Sequence, residues 1–520
     1  MGVNGVQILI VIAAGIAVAG VSRRWGVVQP GIVVMVLACV ASFIPGVPRL
    51  ELDSELILAI VVPPLLYSAT RGASFSSFGQ NLRAIVNLGV VLVVLTTGVL
   101  GLMSSWLLPA LPLAAAMLLG AVLAPPDTVT MVGEGEKLGL PRRVTAILTG
   151  ESLVNDATAL TLFSLALAAL DGARTGVGAG VGRLFYAAFV GLGIGALLAV
   201  ATLWLRARLH NSTLETALAL VVPFTAFLLA EQVQASGILA VVTAAFSISV
   251  NTSLDPKHQY PGAYLTRLQE EAFWPVLDFL LETFVFAYIG LQLRFVLADL
   301  FEERDPGLVR TLVAALVLLV LAIATRLAGV YLLFGRWALS QRTHEDRLAR
   351  DPRYRARYEE RAARRRRRTR SGPLGPPTLR ETTLVGWTGM RGILTLAAAA
   401  AVPETLSNGQ PFPGRDAIQA IALIVTLGTL LIQGTTLPWM ARILHLDTTA
   451  ERDQARLMRR WGVQLATAAA PGLDGKMQDE DFERQRAALG RALVNGDIDE
   501  ETARSLVADI DLRQAASHTL

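Results

Sequence analysis

The chain has 520 residues, 53% of them hydrophobic and only 17% charged, with a formal net charge of +4 and a mean hydropathy of +0.51. This composition excludes an ordinary soluble domain of the same size, whose apolar residues come in patterned stripes. The one cysteine, Cys39, excludes an intrachain disulfide and a cysteine-built metal cluster, and reads as a small hydrophobe in an apolar run.

The first 20 residues contain no basic side chain, and the pair Arg23 and Arg24 follows the apolar stretch. That order is the reverse of a signal peptide, so the segment is predicted as a first span with its N-terminus outside. Thirteen apolar spans follow in all, at about 4–21, 27–46, 54–70, 84–108, 113–132, 144–170, 182–205, 213–231, 236–250, 272–293, 308–335, 383–402 and 416–443. Charge-free runs such as Leu88–Leu108, Leu312–Ala324 and Ala417–Leu431 match a hydrocarbon slab of about 30 Å, which takes roughly 20 helical residues. Barrel strands would alternate apolar and polar residues and these runs do not, so an all-α membrane protein is expected.

Basic residues set the orientation. With the N-terminus outside, the inner loops hold Arg23, Arg24, Arg71, Arg83, Lys137, Arg142, Arg143, Arg206, Arg208, Lys257 and Arg267. The outer loops hold only scattered arginines such as Arg49, Arg174, Arg304 and Arg415. The segment 336–382 between spans 11 and 12 is predicted as a cytoplasmic loop; its stretch 342–370 carries thirteen arginines, including Arg364–Arg368. Lying between two spans, this block reads as a topogenic loop able to touch anionic head groups, not as a nucleic-acid site. Ser371–Pro377, rich in Gly and Pro, reads as a connector. The membrane part is therefore placed at 1–445. Residues 446–520 are placed as a cytoplasmic tail of amphipathic helices, with regulation, dimer contact or plain solvation all open.

A charge at the centre of a bilayer helix costs at least about 2.5–3.5 kcal/mol, so buried acids are functional candidates. The chain offers Asp127 in span 5, Glu151 and Asp156 in span 6, and Asp278 and Glu282 in span 10, with deep arginines at Arg326 and Arg391. In span 5, Pro125-Pro126 precede Asp127. Two consecutive prolines remove backbone donors and unwind a helix, which is tolerated at membrane depth where the backbone lines a cavity. In span 6, Ser152 and Asp156 are four apart and share a face, with Glu151 and Asn155 in the next row. Hydroxyl, carboxylate and amide oxygens suit hard monovalent cations, and the carboxylates take protons in their absence. Span 12 carries Gly386, Gly389 and Gly392 at spacing three, which weakens the helix around Arg391. If spans 1–6 and 8–13 are inverted repeats of six, the interrupted helices 5 and 12 occupy matching positions and cross near the midplane. Arg391 would there offset the negative ends of half-helices.

Asp127 after Pro125-Pro126, Gly150-Glu151-Ser152 with Asn155-Asp156, Glu282 with Phe286 and Gly290, and Gly389-Met390-Arg391-Gly392 together resemble the monovalent cation/proton antiporters, in their electroneutral sodium/proton branch. The resemblance covers roughly residues 5–445. It implies an antiporter, not an enzyme, with no cofactor, exchanging H⁺ for Na⁺ by an elevator-like motion, commonly as a homodimer in the cell membrane. It implies that Asp156 carries the ion or the proton, that Asp127 is its partner, and that Ser152 supplies a hydroxyl, giving a Na⁺ site at Asp127, Asp156 and Ser152. It also implies that Glu151 pairs with Arg326. Asn155 implies electroneutral exchange, because electrogenic relatives carry a second acid there. Related prokaryotic members often have Thr where this chain has Pro126, which leaves a backbone carbonyl as ligand, and Thr128 follows the acid instead. Many members carry an acid where Pro63-Pro64-Leu65-Leu66-Tyr67 here leads to Ser68. Glu282, where many prokaryotic members have Asn, is expected with Arg326 and Arg391 as a structural charge partner. K⁺/H⁺ exchange, a cation channel and a membrane sensor built on the Arg-rich loop are the competing readings.

Overall fold

A computed structural model describes residues 2–24, 30–45, 54–72, 74–127, 140–172, 177–254, 262–302, 307–351, 353, 377–406, 408–446, 448–470 and 478–519. Arg49, Thr128, Lys137, Arg174, Lys257, Arg304, Arg364–Arg368 and residues 371–376 lie outside the described residues.

The described residues form seventeen helices and no strands. In chain order α1 is Gly2–Arg24, α2 Pro30–Ser42 and α3 Ser54–Gly72. Helix α4 starts at Phe75–Val86 and passes through a π-helical turn, Asn87–Leu92, into Val93–Leu107. Then come α5 Leu113–Leu123, α6 Arg142–Leu170, α7 Val177–Leu209, α8 Ser212–Gln232, α9 Gly237–Leu254, α10 Ala263–Glu302 and α11 Leu308–Arg350. Helices α12, Leu379–Trp387, and α13, Ile393–Ala400, flank a break. Helix α14 runs from Arg415–Thr429 through the π turn Leu430–Gly434 to Thr435–Leu444. The tail helices are α15 Thr449–Ala469, α16 Asp479–Asn495 and α17 Glu500–Thr519.

The described parts of the predicted spans are largely helical, span 5 as far as Leu123 and span 12 in two pieces, Leu379–Trp387 and Ile393–Ala400. Among the described residues, seven helical stretches are long and apolar enough to cross a membrane, and four shorter apolar ones accompany them. The segment 336–382, expected as a cytoplasmic loop, opens on helix. Helix α11 continues to Arg350, because Arg, Ala, Leu and Glu beyond the apolar stretch are good helix formers once a helix is nucleated in the bilayer. Helix ends are set by local chemistry. Asn211 caps α8 by accepting from the Leu214 N–H at 3.0 Å, and Thr378 and Glu381 form a reciprocal capping box on α12. Each such cap contributes about 1 kcal/mol.

Two groups of helices pack side by side. Helices α4, α5, α6, α11, α12, α13 and α14 touch chiefly one another, as do α1, α2, α3, α7, α8, α9 and α10. The π turn in α4 brings Gly89 against Val154 and the backbone of Asn155 on α6; a Cβ at Gly89 would lie 2.9 Å from the Val154 Cβ. Such π turns recur where a helix must accommodate a functional site. The α6 segment carrying the acids is thus held from behind by backbone-close packing.

The tail is a packed unit. Phe482, Leu489, Ile498, Leu506, Val507 and Ile510 form its own core. It docks on the loop side of the bundle. Arg267 at the start of α10 grips Asp511 with two hydrogen bonds at 2.6 and 2.8 Å, and Arg486 reaches the same carboxylate at 2.8 Å. Arg504 donates to the Arg71 carbonyl at 2.7 Å, and Ser74 donates to Glu500 at 3.0 Å. Removing one partner of a buried charge cluster costs about 3–5 kcal/mol, because the others stay desolvated. Asp511→Ala is therefore expected to undock the tail and make it sensitive to limited proteolysis, while the membrane helices stay protected. Equal protease resistance in mutant and wild type would show that this cluster does not hold the tail.

Candidate functional site

The unwound end of α5 meets the break between α12 and α13. Helix α5 ends at Leu123, and Ala124 to Asp127 continue without helical hydrogen bonding. Helix α12 ends at Trp387, and α13 starts only at Ile393. The Asp127 N–H donates to the Met390 carbonyl at 2.6 Å, joining one unwound stretch to the other. Arg391, 1% exposed, donates from Nε to the Leu123 carbonyl at 2.9 Å and from Nη1 to the Gly389 carbonyl at 2.5 Å. A full positive charge thus caps the carbonyl end of α5, where the helix leaves acceptors without partners. The Arg391 N–H is taken by the Thr429 hydroxyl of α14 at 3.0 Å.

Asp127 lies against Gly392, at the N-terminal end of α13, where the helix dipole favours an anion. A Cβ on Gly392 would overlap the Asp127 carboxyl, so the close approach requires glycine. Gly392→Ala is expected to displace Asp127 and abolish transport while the protein still inserts. Transport by the alanine variant at the wild-type rate would show that this approach is dispensable.

On α6, the row of polar residues divides into two jobs. Glu151, fully buried, is clasped by both terminal nitrogens of Arg326, one of them at 2.9 Å; Arg326 also donates to the Val385 carbonyl at 3.1 Å. Asn155 donates from its amide to the Pro126 carbonyl at 2.7 Å, tying α6 to the unwound end of α5. The Pro126 carbonyl keeps its second lone pair. Asp156, 8% exposed, turns to a cavity of about 60 Å³.

That cavity is lined by Val62, Leu65 and Leu66 of α3, Pro125 and Asp127 of the α5 break, Asp156 of α6, Glu282 of α10, and Gly392 to Thr395 of the α13 start. It lies between the two helix groups. Three carboxylates face it, and among the described residues no arginine or lysine lines it. Its volume holds one or two waters' worth of matter.

The sequence-predicted residues are thus partly assembled. Asp127 and Asp156 share the cavity. Glu151, Asn155, Arg326 and Arg391 build its supports and do not line it. Ser152 is buried one turn from Asp156 and is not among the residues that line the cavity. Thr128 lies outside the described residues. Glu282 lines the cavity with Asp127 and Asp156, while Arg326 pairs with Glu151 and Arg391 donates to carbonyls. Thr395, which the sequence reading passed over, also lines the cavity with its hydroxyl unpartnered among the described residues. Its only sequence signal is a single hydroxyl in the run Ile393 to Ala400.

The family model described as "Sodium/hydrogen exchanger, transmembrane" matches residues 7–443. This chain belongs to the sodium/hydrogen exchanger family. It is therefore a transporter and not an enzyme. It is 32% identical over 478 residues to a protein of Mycobacterium tuberculosis H37Rv named an uncharacterized Na(+)/H(+) exchanger, covering 90% of this chain and 80% of the relative. It is 28% identical over 449 residues to a Bacillus subtilis protein named a sodium, potassium, lithium and rubidium/H(+) antiporter, covering 83% of this chain and 60% of the relative. Among solved structures it matches the sodium proton antiporter MjNhaP1 of Methanocaldococcus jannaschii with a TM-score of 0.61. That match covers 85% of this chain and 99% of the other at 16% identity, and it shows the fold alone. This exchanger thus has the antiporter fold, with several apolar helices in the membrane.

Proposed function

We propose that this exchanger carries one H⁺ against one monovalent cation by alternating access, with the two competing for Asp156. The observation that carries this reading is a small cavity faced by Asp127, Asp156 and Glu282 and, among the described residues, by no basic side chain. Carboxylates in so enclosed a place are costly to leave charged and bare. A proton or a small cation removes that cost, and the cavity has room for one cation with little water. Because binding either ligand satisfies the same oxygens, the two exclude each other, and exclusion at one site is what couples opposite fluxes.

The ligand set we favour is Asp156 and Asp127 with the Pro126 carbonyl; Ser152, Asn155, Glu151 and Thr128 stand behind it as further candidates or supports. Asn155 is neutral and committed to the Pro126 carbonyl, so one carboxylate exchanges one proton for one cation and no net charge moves. The chain works in the cell membrane as a homodimer, with thirteen spans in inverted repeats, an external N-terminus, and the Arg-rich loop and tail on the cytoplasmic side. Na⁺ is the expected cation. The Bacillus subtilis relative's name favours a broader second reading in which K⁺, Li⁺ and Rb⁺ are also carried.

Proteoliposomes holding a proton gradient test both. Dequenching of a pH dye on adding Na⁺ is expected, unaffected by a potassium diffusion potential. A response to K⁺ of equal size selects the broad reading. Cation flux indifferent to the proton gradient would replace the antiporter with a channel.

A further inference from the structure

The tail is fastened to both helix groups at once. The cavity lies between those groups, so opening it to one face and then to the other requires them to slide or rock past each other. A rigid unit tied to both opposes that motion.

The first tie is to the group that contains α6, α12 and α14. Helix α14 ends at Leu444 and α15 starts at Thr449, so the chain itself joins the two. The link is not slack: the His445 carbonyl accepts from Arg380 of α12 at 3.3 Å, and Leu446 packs against the apolar core of this group. On the first turn of α15, the Glu451 carboxylate accepts from the Arg142 N–H at the start of α6 at 3.0 Å. The Arg142 guanidinium lies 3.5 Å from Asp499 and 3.4 Å from Glu501, in exposed pairs that add little.

The second tie is to the other group, through α17. The Arg267–Asp511 bridge from α10 is charge-assisted, two-pronged and largely buried, its side chains 14% and 2% exposed. The Arg71 carbonyl at the end of α3 accepts from Ser249 of α9 at 2.9 Å and from Arg504 of α17 at 2.7 Å, so α17 sits on the α3–α9 seam. Tyr264 of α10 stacks on His518, with ring centroids 6.1 Å apart. Between the two ties the tail is stiff. Arg459 of α15 bonds Asp509 of α17 at 2.6 Å, and a Cβ on Gly462 of α15 would lie 2.5 Å from Leu506 of α17. One end is built to let go. Arg486 shares Asp511 from within the tail, so α17 can leave Arg267 without stranding a bare carboxylate.

We infer that the docked tail is an autoinhibitory strap. It holds the two helix groups in the arrangement seen here, and exchange runs from the population in which α17 has released Arg267 and the α3–α9 seam. This role rests on the antiport reading above and adds regulation to it. The strap sets how often the groups move past each other, and it touches none of the groups that line the cavity.

The test uses the full chain in proteoliposomes, with Na⁺-driven proton movement as the readout and protease access to the tail as the measure of docking. Arg267→Ala removes the α10 partner and leaves the Arg486–Asp511 pair and the tail core in place. It is expected to expose the tail to protease and to raise Vmax about fivefold, with KM for Na⁺ within about twofold. The second arm fixes the strap instead. In a Cys39→Ser background, Arg267→Cys with Asp511→Cys is joined by a reducible thiol crosslinker. Exchange should fall to about a tenth of the uncrosslinked rate or less and return on reduction. An undocked Arg267→Ala whose Vmax is unchanged or lower would overturn the inference, as would full-rate exchange by the crosslinked protein. If Arg267→Ala does not insert, or keeps its tail resistant to protease, the crosslinked pair decides alone. Absence of exchange in the wild type and in every released variant would instead overturn the antiport reading itself.

Discussion

Asp156→Asn is expected to reduce cation-driven proton movement to the level of empty vesicles, with the protein folded and inserted. Asparagine keeps the shape and the hydrogen-bonding reach of the side chain but can neither lose a proton nor neutralise a cation. Asp156 is 8% exposed and shares its cavity with two other acids. Those acids do not substitute for it, because Asp127 is held at the α13 N-terminus by backbone contacts and Glu282 stands on the other helix group. Each therefore faces the site from a fixed wall. The check is dye dequenching in proteoliposomes, paired with thermal unfolding in detergent to confirm that the variant is native. Full exchange by the folded variant would remove the proposed mechanism, including its competition step.

The second large effect concerns the buried pair on which the site is mounted. Glu151 and Arg326 are 0% and 3% exposed, and the pair joins α6 to α11 and, through the Val385 carbonyl, to α12. Breaking such a pair by removing one charge costs about 3–5 kcal/mol, mostly because the partner is left charged and dry. Glu151→Gln and Arg326→Met are each expected to lower the thermal midpoint steeply. Reversing both charges, Glu151→Arg with Arg326→Glu, should cost less than the sum of the two single reversals. The measurement is a double-mutant cycle on unfolding midpoints in detergent. Strict additivity would show that the two groups do not act as a pair. Because α6 also carries Asp156, the single mutants should lose transport through misplacement of the site as well as through lost stability.

The amino-acid sequence by itself determined the solvent of this protein and the addresses of its chemistry. Apolar runs of membrane length fix the helices, since the backbone has no other way to satisfy itself in lipid. Acids are so costly in those runs that Asp127, Asp156 and Glu282 stand out without any structure, and two adjacent prolines announce the break beside the first of them. These are local properties, legible because the penalty for a wrong residue is paid at that residue.

What each polar group does was decided only by tertiary structure. Ser152 and Asp156 share a helix face in sequence, yet only Asp156 lines the cavity, because the rotation of α6 is set by Gly89 packing behind it and by the Glu151–Arg326 clasp. That Glu282 lines the cavity while Arg326 holds Glu151 and Arg391 holds the Leu123 carbonyl is a matter of how the helices pack. The Ser68–Asp278 contact joins residues 210 apart, and Asp127 meets Gly392 across two broken helices. No periodicity encodes such meetings. They follow from how two helix groups close around one cavity, and a carboxylate's role is fixed by which cation, proton or arginine that closure leaves within its reach.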